Sequence, residues 1–157
     1  MKKIIIITFS IFLGCKNNNE AIITPTFGIL IHGGAGTILK KNMSSAKDTE
    51  YRNILKEAIE AGYKILEAGG NSQDAVEKTI HIMEDSPLFN AGKGAVLNAL
   101  GNIELDASFM NGNSLDAGAV SGVKTVKHPI SAAIKVMEAS QHVMLSGSGA
   151  DTFAKEQ

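Results

Sequence analysis

The sequence predicts an α/β fold in which helices cover a mixed sheet. Three observations carry this reading: an apolar run at 27–31 that opens into a glycine loop, two consecutive segments between 50 and 86 with a helical apolar period, and a stretch at 102–110 that alternates with a period of two. The 157 residues leave room for one domain and hardly for two.

Taken in order, Phe27-Gly28-Ile29-Leu30-Ile31 reads as a strand buried on both faces, leading into His32-Gly33-Gly34-Ala35-Gly36. From Glu50 the period becomes 3.6, with Tyr51, Ile54, Leu55, Ala58, Ile59, Gly62 and Leu66 on one helix face and Gly69-Gly70 as its stop. Asn71 or Ser72 caps a second helix whose stripe is Ala75, Val76, Thr79, Ile80 and Met83, and Pro87 marks its end. A long turn through Asn90-Ala91-Gly92-Lys93-Gly94 follows. In 102–110, Ile103, Leu105, Ala107 and Phe109 alternate with Glu104, Asp106 and Ser108. Asn111-Gly112-Asn113 turns this strand into a second, 117–126, as a hairpin. Pro129 opens a third helix through Ala139. A short strand at 142–145 then enters a second glycine loop, Gly147-Ser148-Gly149, and an amphipathic segment begins at Ala150. Four strands in so short a chain leave sheet edges for something else to cover.

Composition narrows the function. Fifteen Lys+Arg against sixteen Asp+Glu leave no basic stripe to neutralise phosphates, which argues against nucleic acid. A single cysteine excludes a disulfide framework and any multi-thiolate zinc site. Familiar catalytic signatures fail on inspection. Gly33-Gly34-Ala35-Gly36 lacks dinucleotide-fingerprint spacing, Gly92-Lys93 has Pro87 where a phosphate loop needs its first glycine, and Gly147-Ser148-Gly149 is not a nucleophile elbow. The residues by themselves give shaped loops and carboxylates without a self-contained nucleophile and base.

The N-terminus reads as an address. Met1-Lys2-Lys3 is basic, and the ten residues Ile4 to Leu13 are nearly all apolar, about half the length needed to cross a bilayer. Phe12-Leu13-Gly14-Cys15 resembles a bacterial lipobox, which makes 1–15 a lipoprotein signal peptide with Cys15 lipidated, 16–26 a tether and 27–157 the folded portion. The implied location is periplasmic, on a membrane through the lipid anchor. The other reading of Cys15 is a structural cysteine closing a buried strand.

Three motifs in order carry a resemblance: Ile31-His32-Gly33-Gly34-Ala35-Gly36, then Asp85-Ser86-Pro87-Leu88-Phe89-Asn90-Ala91-Gly92-Lys93-Gly94-Ala95-Val96, then Glu104-Leu105-Asp106-Ala107-Ser108-Phe109-Met110-Asn111-Gly112 with Ala117-Gly118-Ala119-Val120. Together they resemble the plant-type asparaginase and isoaspartyl peptidase family, N-terminal nucleophile hydrolases that cleave their own precursor before a threonine whose amine and hydroxyl become base and nucleophile. The resemblance implies a four-layer αββα sandwich, of which this chain matches the α-subunit part. It also implies hydrolysis of β-aspartyl amide bonds in asparagine or isoaspartyl dipeptides. The partner would be a β subunit from the same precursor, in an (αβ)2 assembly. The family's threonine has no counterpart up to Gln157, and Thr152 precedes Phe153, outside the Gly-Thr-Val context. No catalytic nucleophile is therefore assigned here, and the chain alone is expected to be inactive. Glycosylasparaginase-like chemistry, or an inactive lipoprotein fragment with a binding role, are the competing readings.

For individual residues, the resemblance puts Asn90 beside the nucleophile, while the residue type alone equally suits a turn cap. Gly33 and Gly34 either shape self-cleavage or simply turn the chain. No cofactor is required, but related enzymes cage a sodium ion in backbone oxygens, here the carbonyls of Met83, Glu84, Ser86, Phe89, Ala91 and Lys93. Asp106 and Glu104 read as structural carboxylates.

Overall fold

The computed structural model describes residues 27–35 and 40–157. Cys15, the signal segment and the 16–26 tether lie outside the described residues. The fold is α/β: α1 (Ser45–Glu67), α2 (Ser72–Glu84), β1 (Leu105–Met110), β2 (Ala117–Val123), α3 (Pro129–Ala139), β3 (Met144–Ser146) and α4 (Gly147–Glu156), with 3-10 turns at Lys40–Asn42 and Gly92–Gly94. No described helix is long and apolar enough to cross a membrane.

The sheet is mixed, in the order β1-β2-β3. β1 and β2 form the antiparallel hairpin, with Met110 opposite Ala117 and Leu105 opposite Val123, and β3 runs parallel to β2 after the α3 crossover. α3 and α4 share one core with the sheet, built on Leu105, Val120, Val123, Ala132, Val136 and Ala150, and Phe109, Ile130, Ala133 and Ile134 extend it. On the opposite face, Asp106, Ser108 and Met110 are exposed. The α1–α2 hairpin has its own cluster, Ala58, Met83 and Phe89, and Ile80 packs on both this cluster and the Phe109 cluster.

Several expectations are corrected. Residues 27–31 are not a strand, because among the described residues no neighbour supplies a hydrogen-bonding ladder. The segment lies instead across the helices: Phe27 meets the Tyr63 ring at 5.1 Å, Ile29 packs where Gly62 leaves room, and Leu30 is 92% exposed. α1 starts five residues earlier than its apolar period, because Ser44 Oγ accepts the Lys47 amide as an N-cap. Val76 belongs to the α2 stripe by spacing yet is exposed. β1 begins at Leu105, since 98–102 close a turn on Asn98 and Ile103 makes only an isolated bridge to Leu97. β2 ends at Val123, where the Asp151 carboxylate accepts the Lys124 and Thr125 amides. The short third strand is 144–146, and Gly147-Ser148-Gly149 is the first turn of α4 rather than a loop. Burying Ala150 in the core offsets the poor helix propensity of those glycines. The four expected strands are thus three.

Asp106 and Glu104 both find partners within the fold. Between Leu105 and Ala107 the register slips, and Gly122 at φ +64° marks the bulge on β2. Asp106 Oδ1 accepts Ser121 Oγ at 2.7 Å and the Gly122 amide at 2.8 Å, and these bonds hold its carboxyl below the usual range. Glu104 pairs with Lys124 at 3.0 Å.

α3 approaches β2 closely at Gly118. A side-chain carbon there would overlap the Ala133 carbonyl and crowd the Met137 backbone. Gly118→Ala should therefore destabilise the chain by about 1–3 kcal/mol, read as a lowered urea midpoint. An unchanged midpoint would mean that α3 sits less tightly on the sheet.

Candidate functional site

The candidate residues converge at one end of the α1–α2 hairpin. Gly33 packs against Leu55 of α1 and the ring of Phe89, at 3.2 and 3.6 Å from where its side-chain carbon would stand. Phe89 is buried, with Tyr51 edge-on at 5.7 Å, and the next residue is Asn90. The first glycine loop and the Asn90 turn therefore share one apolar support. Gly34 has φ +98°, a backbone conformation that favours glycine, and its amide donates to His32 Nδ1 at 3.2 Å.

Asn90 caps its own turn: its Oδ1 accepts the Val96 amide at 2.9 Å. The side chain is exposed, and its Nδ2 has no partner among the described residues. The bond engages the amide oxygen and leaves the two N–H donors of an exposed side chain available, so one side chain can serve a turn and a ligand.

The turn between Glu84 and Gly94 is drawn tight around carbonyl oxygens. At Gly94 a side-chain carbon would strike the Phe89 and Pro87 carbonyls, and at Gly92 it would strike the Glu84 carbonyl. The Met83 and Ala91 carbonyls accept the Ser86 and Gly94 amides. Backbone carbonyls are neutral oxygen donors, the kind a hard monovalent cation accepts. Among the described residues, no group of three or more His, Cys, Asp or Glu side chains is arranged to hold a metal.

Glu84 was noticed in the sequence only for its backbone, but its side chain is the most unusual group near the site. It is 4% exposed; Oε1 accepts the Ile130 amide at 3.1 Å, and Oε2 is buried without a partner among the described residues. Burial pushes its carboxyl up to about 7, against the opposing pull of the Ile130 bond, with Asp85 and Glu77 adding to the rise. A signal was present: Glu84 follows Ile80 by four residues and so sits on the buried face of α2. Around it, His81 Nε2 lies 2.7 Å from Ser131 Oγ, and Ser131 donates to Glu77. The His81 and His128 rings stack at 4.1 Å, and Asp85 takes both His128 at 3.2 Å and Lys127 at 2.9 Å. Burial, and then the His128 ring, lower the His81 pKa.

A family model described as Asparaginase matches residues 25–157. The chain is 50% identical over 129 residues to an isoaspartyl peptidase of Salmonella typhimurium, covering 82% of this chain and 41% of that protein. It is 48% identical over 127 residues to a plant-type L-asparaginase of Pyrococcus abyssi (81% and 40%) and 44% identical over 129 residues to an isoaspartyl peptidase/L-asparaginase of Xenopus laevis (82% and 40%). The chain spans about two fifths of the length of these curated relatives.

A raised carboxyl in the folded chain makes stability fall as pH rises. The contribution is full below the ordinary carboxylate value of 4.5 and is lost as pH climbs through about 7, by about 3 kcal/mol in all. His81 acts oppositely, losing stability as pH falls through the ordinary histidine range. Subtracting the pH profile of Glu84→Gln isolates the first effect. Urea midpoints of the two proteins should match near pH 4 and diverge by pH 8 in favour of the glutamine variant. Parallel profiles would show that folding does not raise the Glu84 carboxyl.

Proposed function

The chain belongs to the asparaginase family, and on that basis we propose that it forms the α part of an isoaspartyl peptidase/L-asparaginase. The observation that carries the reading is the identity of 44–50% with relatives of those names, beside a family match over 25–157 that takes in the glycine loop, the Asn90 turn and the β1–β2 hairpin. The reaction is hydrolysis of a β-aspartyl amide. A threonine hydroxyl from a β part of the same precursor attacks the side-chain carbonyl and its own free amine takes the proton; that proton passes to the leaving amine as the C–N bond of the tetrahedral adduct breaks, and water then hydrolyses the acyl-enzyme left behind. The four-layer sandwich, the (αβ)2 assembly and the lipid anchor at Cys15 belong to the same proposal.

In this scheme the chain supplies surroundings rather than the nucleophile. Asn90 presents Nδ2 donors that do not titrate, so they can hold a threonine hydroxyl or a developing oxyanion at any working pH. Gly33 and Gly34 let backbone come close to the reacting bond without a side chain in the way. The carbonyls of Met83, Glu84, Ser86, Phe89, Ala91 and Lys93 would hold a sodium ion, whose contribution is to stiffen the turn bearing Asn90. The exposed apolar side chains Leu30, Val96, Leu97, Leu100, Met110 and Met144 suit coverage by the β part.

In the full-length precursor, Asn90→Ala should fold normally and lower self-cleavage or β-aspartyl dipeptide hydrolysis by about 10²–10³, or about 2.7–4 kcal/mol of barrier. Unaltered kinetics would leave Asn90 a turn cap alone. Residues 27–157 assayed by themselves should show no hydrolysis of asparagine or a β-aspartyl dipeptide. Turnover by that segment would place the nucleophile among residues assigned here to structure.

A further inference from the structure

We propose that His32 is a positioning residue, whose Nδ1 holds the glycine loop in shape by accepting the Gly34 amide. The inference rests on the hydrolase reading for its consequence, and on the contact itself for its geometry. Nδ1 stands 3.2 Å from the Gly34 nitrogen, two residues along, and Gly34 is at φ +98°. Glycine enters that conformation easily and leaves it as easily, so the sequence Gly33-Gly34 needs something outside the two glycines to select one path. The imidazole does this by bridging the pair. His32 is exposed and borders a groove of about 230 Å³ with Ile29, Ile31, Thr79, Ile80 and Met83, none of which carries a charge. The Gly34 bond engages the Nδ1 side of the ring. A ring nitrogen that accepts carries no proton, so the proton is on Nε2.

The consequence reaches the site through Gly33. Its neighbours are Leu55 and Phe89, and Phe89 is the support on which the Asn90 turn is built. Releasing Gly34 frees Gly33 to leave Phe89, and the two loops lose their fixed relation. His32 touches no reacting atom in this account; it acts through the loop.

The geometry separates His32 from a merely structural histidine by which nitrogen matters. Asparagine places its Oδ1 where Nδ1 stands and naturally accepts an amide two residues on, whereas glutamine places its oxygen near the position of Nε2. In the full-length protein, His32→Ala should speed exchange of the Gly34 amide about two- to tenfold and slow self-cleavage or β-aspartyl dipeptide hydrolysis by a similar factor. His32→Asn should restore both to within about twofold, and His32→Gln should restore neither. Unchanged Gly34 exchange in His32→Ala, or rescue by glutamine instead of asparagine, would overturn the proposal. If the unaltered protein neither cleaves itself nor hydrolyses the dipeptide, the hydrolase reading falls alone, because the amide-exchange comparison still decides the contact.

Discussion

The hydrogen bond from the Ile130 amide to the buried Glu84 carboxyl fixes where the candidate site sits relative to the sheet. Glu84 closes α2, and the turn that carries Asn90 starts directly after it. Ile130 lies in the first turn of α3, which packs on β1 and β2. One carboxyl therefore joins a helix C-terminus, a helix N-terminus and a turn. The free amide at the start of α3 needs an acceptor in any case, and the negative end of α2 is a poor place for a charge. A carboxyl whose proton affinity burial has raised to about 7 eases the two demands, since it carries its full charge only above neutrality.

The rest of the α2–α3 seam has the same character. Gln73 reaches Glu138 at 2.6 Å, Ser131 lies between Glu77 and His81, and Asp85 gathers Lys127 and His128. Of the apolar residues, Ile80 is the one that belongs to the clusters on both sides. Apolar contacts tolerate sliding, whereas a line of directional bonds sets one register. The seam thus contributes geometry more than it contributes buried apolar area.

What the sequence disclosed follows from how local each signal is. α3 is legible to the residue, because Pro129 stands at its first position and the apolar spacing continues to Ala139. The hairpin is legible because a period of two flanks a turn-forming Asn-Gly-Asn. Where tertiary contacts decide, local signals mislead. The glycines at 147–149 look like a loop until Ala150 is seen in the core, and the run at 27–31 looks like a strand although it pairs with no strand among the described residues. At the site, the glycine loop and Asn90 could be picked out as loop residues, but their meeting at Phe89 could not. Phe89 reads as one more apolar residue until packing shows both loops resting on it.

The polar seam also divides the chain in time. On its N-terminal side, α1 and α2 form an antiparallel pair with a core of their own in Ala58, Met83 and Phe89, all near one another in sequence. On the other side, β1, β2, α3, β3 and α4 follow one another without a long excursion. Contacts within each half close short loops, which favours rapid formation, while the seam needs both halves already shaped before its bonds can align. During synthesis the helical pair leaves the ribosome first and can collapse before the sheet exists. Docking across the seam then becomes the late step, and the Asn90 turn, hung from the last residue of α2, takes its place only when that step is complete.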